Sequence, residues 1–203
     1  MSVDLKIAEP LAQALNKKGY DTLTAVQEAV MAPDTADRDL LVSAQTGSGK
    51  TVAFGLALAS SLLDEAGLLP VAETPLALII APTRELAVQV RKELEWLYEA
   101  AGGRIASCIG GMDMRDERRA LSTNPHIVVG TPGRLIDHLH RNSLDISEVK
   151  AVVLDEADEM LNMGFREELE EILEAAPVER KPIYSISSAS SSTTAFTSDI
   201  SSE

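Results

Sequence analysis

The sequence predicts an α/β domain, a mostly parallel central sheet with helices on both faces. Three observations carry this. Five short apolar runs alternate with longer stretches of helical spacing. The apolar runs lack a polar–apolar alternation, the pattern of strands buried on both faces. The chain has 203 residues, 45% hydrophobic and 25% charged, which suits one large folded domain rather than two small ones.

In chain order, two helical segments come first, at 8–18 and 24–32. The first strand is expected at Asp39–Ser43, followed by a helix over Val52–Leu63. The remaining strands are expected at Leu76–Ala81, Ile105–Ile109, His126–Gly130 and Ala151–Leu154. Between them, Arg84–Ala101 carries Leu86, Val90, Leu94 and Leu97 at helical spacing, and Asp113–Leu121 and Arg134–Arg141 read as further helices. Strand and helix in alternation imply a doubly wound sheet. From residue 183 the chain turns Ser/Thr-rich, a composition that buries too little apolar surface to offset its ordering entropy. The expected organisation is therefore N-terminal helices at 1–36, the core domain at 37–182, and a flexible or atypical tail at 183–203, whose first residues could still add a strand.

The net charge of −14 argues against a broad basic face of the kind that binds nucleic acid. A phosphate-bearing partner would have to be held by backbone amides, helix N-termini and a few local donors, or by charge elsewhere in a longer protein. Cys108 is the one cysteine and sits in an apolar run, so it reads as a core residue in a protein of a reducing cytoplasm. The start, Met1-Ser2-Val3-Asp4, lacks the basic and apolar regions of a signal peptide, and no run is long enough for a membrane helix. Trp96 reads as a packing residue on a helix.

The strongest motif is Ala44-Gln45-Thr46-Gly47-Ser48-Gly49-Lys50-Thr51, between an apolar strand and a helix. That is the setting of a phosphate-binding loop, although Ala44 stands where the strict pattern has Gly. Gly47 and Gly49 allow the backbone to curl so that its N–H groups face phosphate oxygens. Lys50 adds a positive charge near the terminal phosphates, and Thr51 offers Mg²⁺ a hydroxyl. Further on, the run Ala151–Leu154 ends in Asp155-Glu156-Ala157-Asp158. Carboxylates at that end of a buried strand lie where α/β sheets bind ligands. Asp155 is the candidate Mg²⁺ residue, through water, and Glu156 the candidate base for the attacking water. Catalysis is thus expected from Lys50, Asp155 and Glu156, with ATP and Mg²⁺ as cofactors.

With these residues in hand the sequence resembles the DEAD-box RNA helicases, ATPases built from two RecA-like domains, over residues 3–182. Leu154–Leu161 followed by Met163-Gly164-Phe165 resembles bacterial members most. The resemblance implies the first RecA-like domain of an ATP-dependent RNA helicase. Gly19-Tyr20 and Thr24-Ala25-Val26-Gln27 are similar to the family's adenine-reading segment. It implies that Gln27 reads the adenine edge, Thr24 supports the loop and Tyr20 joins the nucleotide site. The family also has an upstream aromatic that stacks on the base, and the matching position here is Ser2. Pro82-Thr83-Arg84-Glu85, Gly110-Gly111 and Thr131-Pro132-Gly133-Arg134 are similar to its RNA-contacting motifs. They imply sequence-independent contact with the backbone of one RNA strand. Asp158 is given a part in coupling.

The family's Ser-Ala-Thr motif is replaced by Ser188-Ala189-Ser190. A second RecA-like domain, with its arginine fingers, is an expected partner that the 203 residues do not include. Loss of such a finger costs about 10³–10⁵ in rate in related systems, so the chain alone is expected to be a nearly inactive monomer. Other readings stay open: a nucleotide- or RNA-binding module without catalysis, a DNA helicase of the same superfamily, or another P-loop enzyme. A GTPase would carry Asn-Lys-x-Asp, whereas Asn16-Lys17-Lys18-Gly19 lacks the Asp.

Overall fold

A computed structural model describes residues 7–32, 35, 39–45, 47–111, 113–187 and 194–197. The five expected strands form as β1 (Leu40–Ala44), β2 (Ala77–Ile80), β3 (Ile105–Cys108), β4 (Ile127–Gly130) and β5 (Ala151–Leu154). Two more follow, β6 (Lys181–Ser187) and β7 (Thr194–Thr197). They join one sheet in the order β3-β4-β2-β5-β6-β1-β7. Neighbouring strands from β3 to β1 are parallel, and β7 pairs antiparallel with β1 at the edge. The boundary expected at 182 falls inside β6, which runs between β5 and β1. Pro182 sits second in that strand. The strand that the first residues of the Ser/Thr-rich stretch could add is thus present, and it begins two residues earlier, at Lys181.

Alternate residues of each central strand belong to different cores, which explains why the apolar runs lack alternation. Ile79, Val129 and Val153 pack in one core with α1 (Glu9–Lys17), α2 (Ala25–Val30), α3 (Lys50–Leu62) and α4 (Arg84–Tyr98). Leu78, Val128 and Val152 pack in the other with α5 (Met114–Leu121), α6 (Pro132–His140), α7 (Ala157–Asn162) and α8 (Arg166–Ala175). Burying each such side chain stabilises the fold by about 1.5–3 kcal/mol. Helix α4 forms where expected. The Thr83 hydroxyl caps it by accepting from Leu86 N at 3.2 Å, and Ala87, Val90, Leu94 and Leu97 make its buried face. It is pinned to α3 by Tyr98, whose buried hydroxyl donates to the Gly55 carbonyl at 2.7 Å. Cys108 is a fully buried core residue, and burial pushes its thiol up to about 12. Among the described residues no helix is long and apolar enough to cross a membrane.

The strand register decides where the chemistry lies. Cys108, Gly130, Ile80 and Leu154 are level across β3, β4, β2 and β5, and Leu154 is level with Tyr184 of β6. All five loops that carry candidate residues therefore leave the sheet at one rim, the C-terminal ends of its parallel strands.

Candidate functional site

The phosphate loop leaves β1 and turns directly into α3. Gly47 and Gly49 have φ of +82° and +86°, a left-handed conformation that costs a residue with a Cβ about 1–2 kcal/mol. Gly49 is the N-cap, so the N–H groups that open α3 face the loop's hollow. A cleft of about 210 Å³ is lined by Gly47, Gly49, Lys50 and Thr51 on one side and by Asp155 and Glu156 on the other. Lys50 and Asp155 are 8% and 3% exposed. The two strongest motifs, far apart in sequence, thus share one cleft. A larger cavity of about 880 Å³, lined in part by Asp39, Lys150 and Lys181, opens at the N-terminal ends of β1, β5 and β6. It contains none of the phosphate-loop residues, so its size does not make it the chemical site.

Burial holds the Asp155 carboxyl above the usual carboxylate range, against the Lys50 charge and the Ser185 hydroxyl, which favour ionisation. That hydroxyl is close to Asp155 but lacks hydrogen-bond geometry to any partner among the described residues. Burial also pushes Glu156 up to about 7, with help from Glu159, which shares a hydrogen bond with it, and from the Asp155 charge. Glu156 has φ +53°, the left-handed conformation, at the N-cap of α7. Non-glycine residues held there cluster at functional sites. The donor set fits a magnesium-bound phosphate chain. Thr51 and Asp155 offer hard oxygen ligands, and the buried Ser48 hydroxyl has no hydrogen-bond partner among the described residues. Gln45 is exposed, and Thr46 lies outside the described residues, as do Ser2 and Ser188–Ser190.

Gln27 is fully buried. Its Oε1 accepts from Thr24 N at 3.0 Å, and its Nε2 donates to the Gly49 carbonyl at 3.4 Å. The carboxamide thus ties α2 to the phosphate loop. Tyr20 lines the cleft and stacks on Trp96, with ring centroids 5.8 Å apart. Trp96 packs on the core and donates to Glu93 at 2.8 Å.

The other motifs meet further along the rim. Arg84 and Glu85 are exposed in the first turn of α4. The Arg84 guanidinium lies over Gly110 and Gly111, so closely that a Cβ on Gly111 would come within 2.3 Å of it. Gly133 is exposed, Thr131 is half-buried as the N-cap of α6, and Arg134 Nε donates to Glu117 at 2.7 Å. Pro82 is buried in the bend before α4, and Pro132 is buried as the first residue of α6. Asp158 is half-buried in the first turn of α7.

The DEAD/DEAH box helicase family model matches residues 24–198. The chain belongs to the DEAD/DEAH box helicase family. It is 42% identical over 180 residues to the DEAD-box ATP-dependent RNA helicase CshA of Bacillus licheniformis, covering 89% of this chain and 36% of that protein. It is 43% identical over 175 residues to the ATP-dependent RNA helicase CshA of Listeria monocytogenes, covering 86% and 32%. The chain therefore spans about a third of the length of these relatives. The crystal structure of a DEAD box protein from the hyperthermophile Methanococcus jannaschii aligns with a TM-score of 0.80 at 34% identity, covering 92% of this chain and 50% of that one. The fold is thus the α/β, RecA-like domain of DEAD-box proteins.

Within this DEAD-box domain, several cleft residues escape a reading by motif. Leu86, Gln89 and Glu93 line the cleft from α4, and Ser185 stands beside Asp155 from β6. The spacing of Leu86, Gln89 and Glu93 on one helix face was the only available signal. Ser185 had none, because nothing in the sequence placed its strand beside β5.

Proposed function

We propose that this chain is one of the two ATPase core domains of an ATP-dependent RNA helicase, binding Mg-ATP in the cleft and the RNA backbone along the same rim. The observation that carries the reading is the shared cleft of Lys50, Thr51, Asp155 and Glu156. Lys50 and the amides that open α3 hold the terminal phosphates. Thr51 and Asp155 hold Mg²⁺, which when bound neutralises charge on those phosphates. Glu156, with its carboxyl at about 7, is poised to take a proton from the attacking water. Gln27 and Tyr20 set the choice of base, and Gln45, Thr46 and Ser48 complete the phosphate cradle.

Thr83, Arg84, Gly110, Gly111, Thr131, Gly133 and Arg134 supply donors and close backbone approach to one RNA strand. These contacts ignore base identity, so binding is largely independent of sequence. They also reconcile RNA binding with a net charge of −14, because the needed donors are local. Asp158 takes part in coupling. A second RecA-like domain supplies the other wall of the cleft, the arginine fingers and the rest of the RNA clamp, and unwinding requires it. That the relatives are ATP-dependent RNA helicases supports this reading. A monomer working in the cytoplasm is the setting it implies.

The test combines nucleotide binding with steady-state ATPase assays, with and without RNA. The chain alone should bind Mg-nucleotide and hydrolyse ATP at a rate about 10³ or more below a two-domain helicase, with no unwinding. Lys50→Ala should abolish nucleotide binding. Unchanged affinity in that variant would overturn the site, and RNA-stimulated turnover by the chain alone would overturn the need for a partner domain.

A further inference from the structure

Glu117 is a charged side chain that the nucleotide chemistry does not use. It is 2% exposed, yet it stands in a sequence, Arg115-Asp116-Glu117-Arg118-Arg119, that reads as a solvated helix face. Its carboxylate meets four donors. Oε1 accepts from Ile109 N at 3.0 Å and from Gly110 N at 3.3 Å. Oε2 accepts from Arg134 Nε at 2.7 Å and is 2.8 Å from His138 Nε2. A carboxylate has no proton to give, so that ring nitrogen is the donor. His138 is itself fully buried and is braced through Nδ1 by the Ser143 hydroxyl at 2.8 Å.

We propose that Glu117 is a positioning residue for the RNA-facing rim, its two oxygens joining the Gly110 turn and Arg134 into one rigid bracket. The proposal rests on the reading that this rim grips RNA. One oxygen holds the turn after β3 and the other aims the guanidinium at the start of α6. The Arg84 guanidinium lies over the same glycine turn, so the third RNA-facing segment borders the bracket. Buried charge-assisted hydrogen bonds hold geometry better than exposed ones, since water does not compete for the donors. His138 fills the remaining acceptor position and stops the carboxylate from rotating.

The division of labour gives a selective test. In Glu117→Gln, Oε1 still accepts from Ile109 and Gly110. The new amide N–H₂ can donate to His138 if that ring moves its proton to Nδ1, but it faces Arg134 Nε donor to donor. His138→Gln is the conservative control, because its amide can donate to Oε2 from the place of Nε2. Arg84→Ala tests the rim reading by itself. RNA affinity of the 203-residue chain is measured by anisotropy of a labelled single-stranded RNA in saturating Mg²⁺ and a non-hydrolysable ATP analogue, and nucleotide affinity is measured separately. Glu117→Gln should weaken RNA binding about tenfold, the loss of one well-aimed charge-assisted contact, at unchanged nucleotide affinity. His138→Gln should stay within about twofold of the unmutated chain.

If Arg84→Ala weakens RNA binding and Glu117→Gln does not, the bracket is wrong while the rim reading stands. If the unmutated chain does not bind RNA, or neither variant changes its affinity, the rim reading fails and takes the bracket with it. A parallel loss of RNA and nucleotide affinity in Glu117→Gln would mark a merely structural role and overturn the proposal. Should that variant not fold, the Arg134 Nε–H resonance of the unmutated chain decides. A rigid signal protected from exchange is expected, and a freely averaging one refutes the bracket.

Discussion

Glu156 is held in the left-handed backbone region, half-buried, with its carboxyl at about 7 against an ordinary value of 4.5. Desolvation is the main cause, followed by the hydrogen bond with Glu159 and the charges of Asp155 and Glu159, while Lys50 opposes them. Because the folded state binds this proton more tightly than the unfolded chain does, folding loses stability as pH rises from 4.5 towards 7. The cost is absent below that window and complete above it. For a fully shielded group the difference would be worth about 3 kcal/mol; water screening of a half-buried carboxyl reduces this to about 1 kcal/mol. Glu156→Gln removes the cost without changing shape. The variant should therefore be more stable than the unmutated chain by about 1 kcal/mol near pH 8.5, with the gap closing towards about pH 5. Urea denaturation across that range measures it. Combining the change with Glu159→Gln tests the cause. In the Glu159→Gln background the gap should narrow, because one raising contact is gone. A gap independent of pH, or a Gln variant less stable at pH 8.5, would refute the reasoning. The expected trade is a gain in stability for a loss of hydrolysis, as at other sites where function holds a charge in an unfavourable place.

The glycine pair separates two effects. Gly110 and Gly111 both have positive φ, +68° and +71°, so alanine at either should cost about 1–2 kcal/mol in urea denaturation. Only at Gly111 would the added Cβ meet Arg84, at 2.3 Å rather than 3.6 Å, so Gly111→Ala should lower RNA affinity by about fivefold more than Gly110→Ala does. Tyr98→Phe should destabilise the domain by about 1–2 kcal/mol, since it strips the Gly55 carbonyl of its buried donor, and should leave nucleotide affinity unchanged.

Much of the domain was legible in its sequence. Local signals suffice for β1 to β5, whose runs are mostly apolar, and for α4, whose Leu and Val spacing marks one buried face and whose Thr83 marks its start. The phosphate loop is legible because its function is local: a turn, two glycines, a lysine and a hydroxyl within one short segment. The place of β6 was not legible. Its backbone pairs with β5 on one side and β1 on the other, a strand order that local composition does not record. Nor could the sequence assign Glu117, since an Arg- and Glu-rich segment looks the same whether one carboxylate turns inward or all face water.

What the sequence alone determined is the set of chemical groups and the strands that carry them, because hydrophobic periodicity and loop chemistry act over a few residues. What only the tertiary structure decided is adjacency: that Asp155 faces Lys50 across an intervening β6, that Gln27 closes onto Gly49, and that Glu117 binds Arg134. Adjacency depends on strand order and on which buried donors lack other partners. Both are set by satisfying every backbone and charged group at once, a condition on the whole chain that no short stretch of it records.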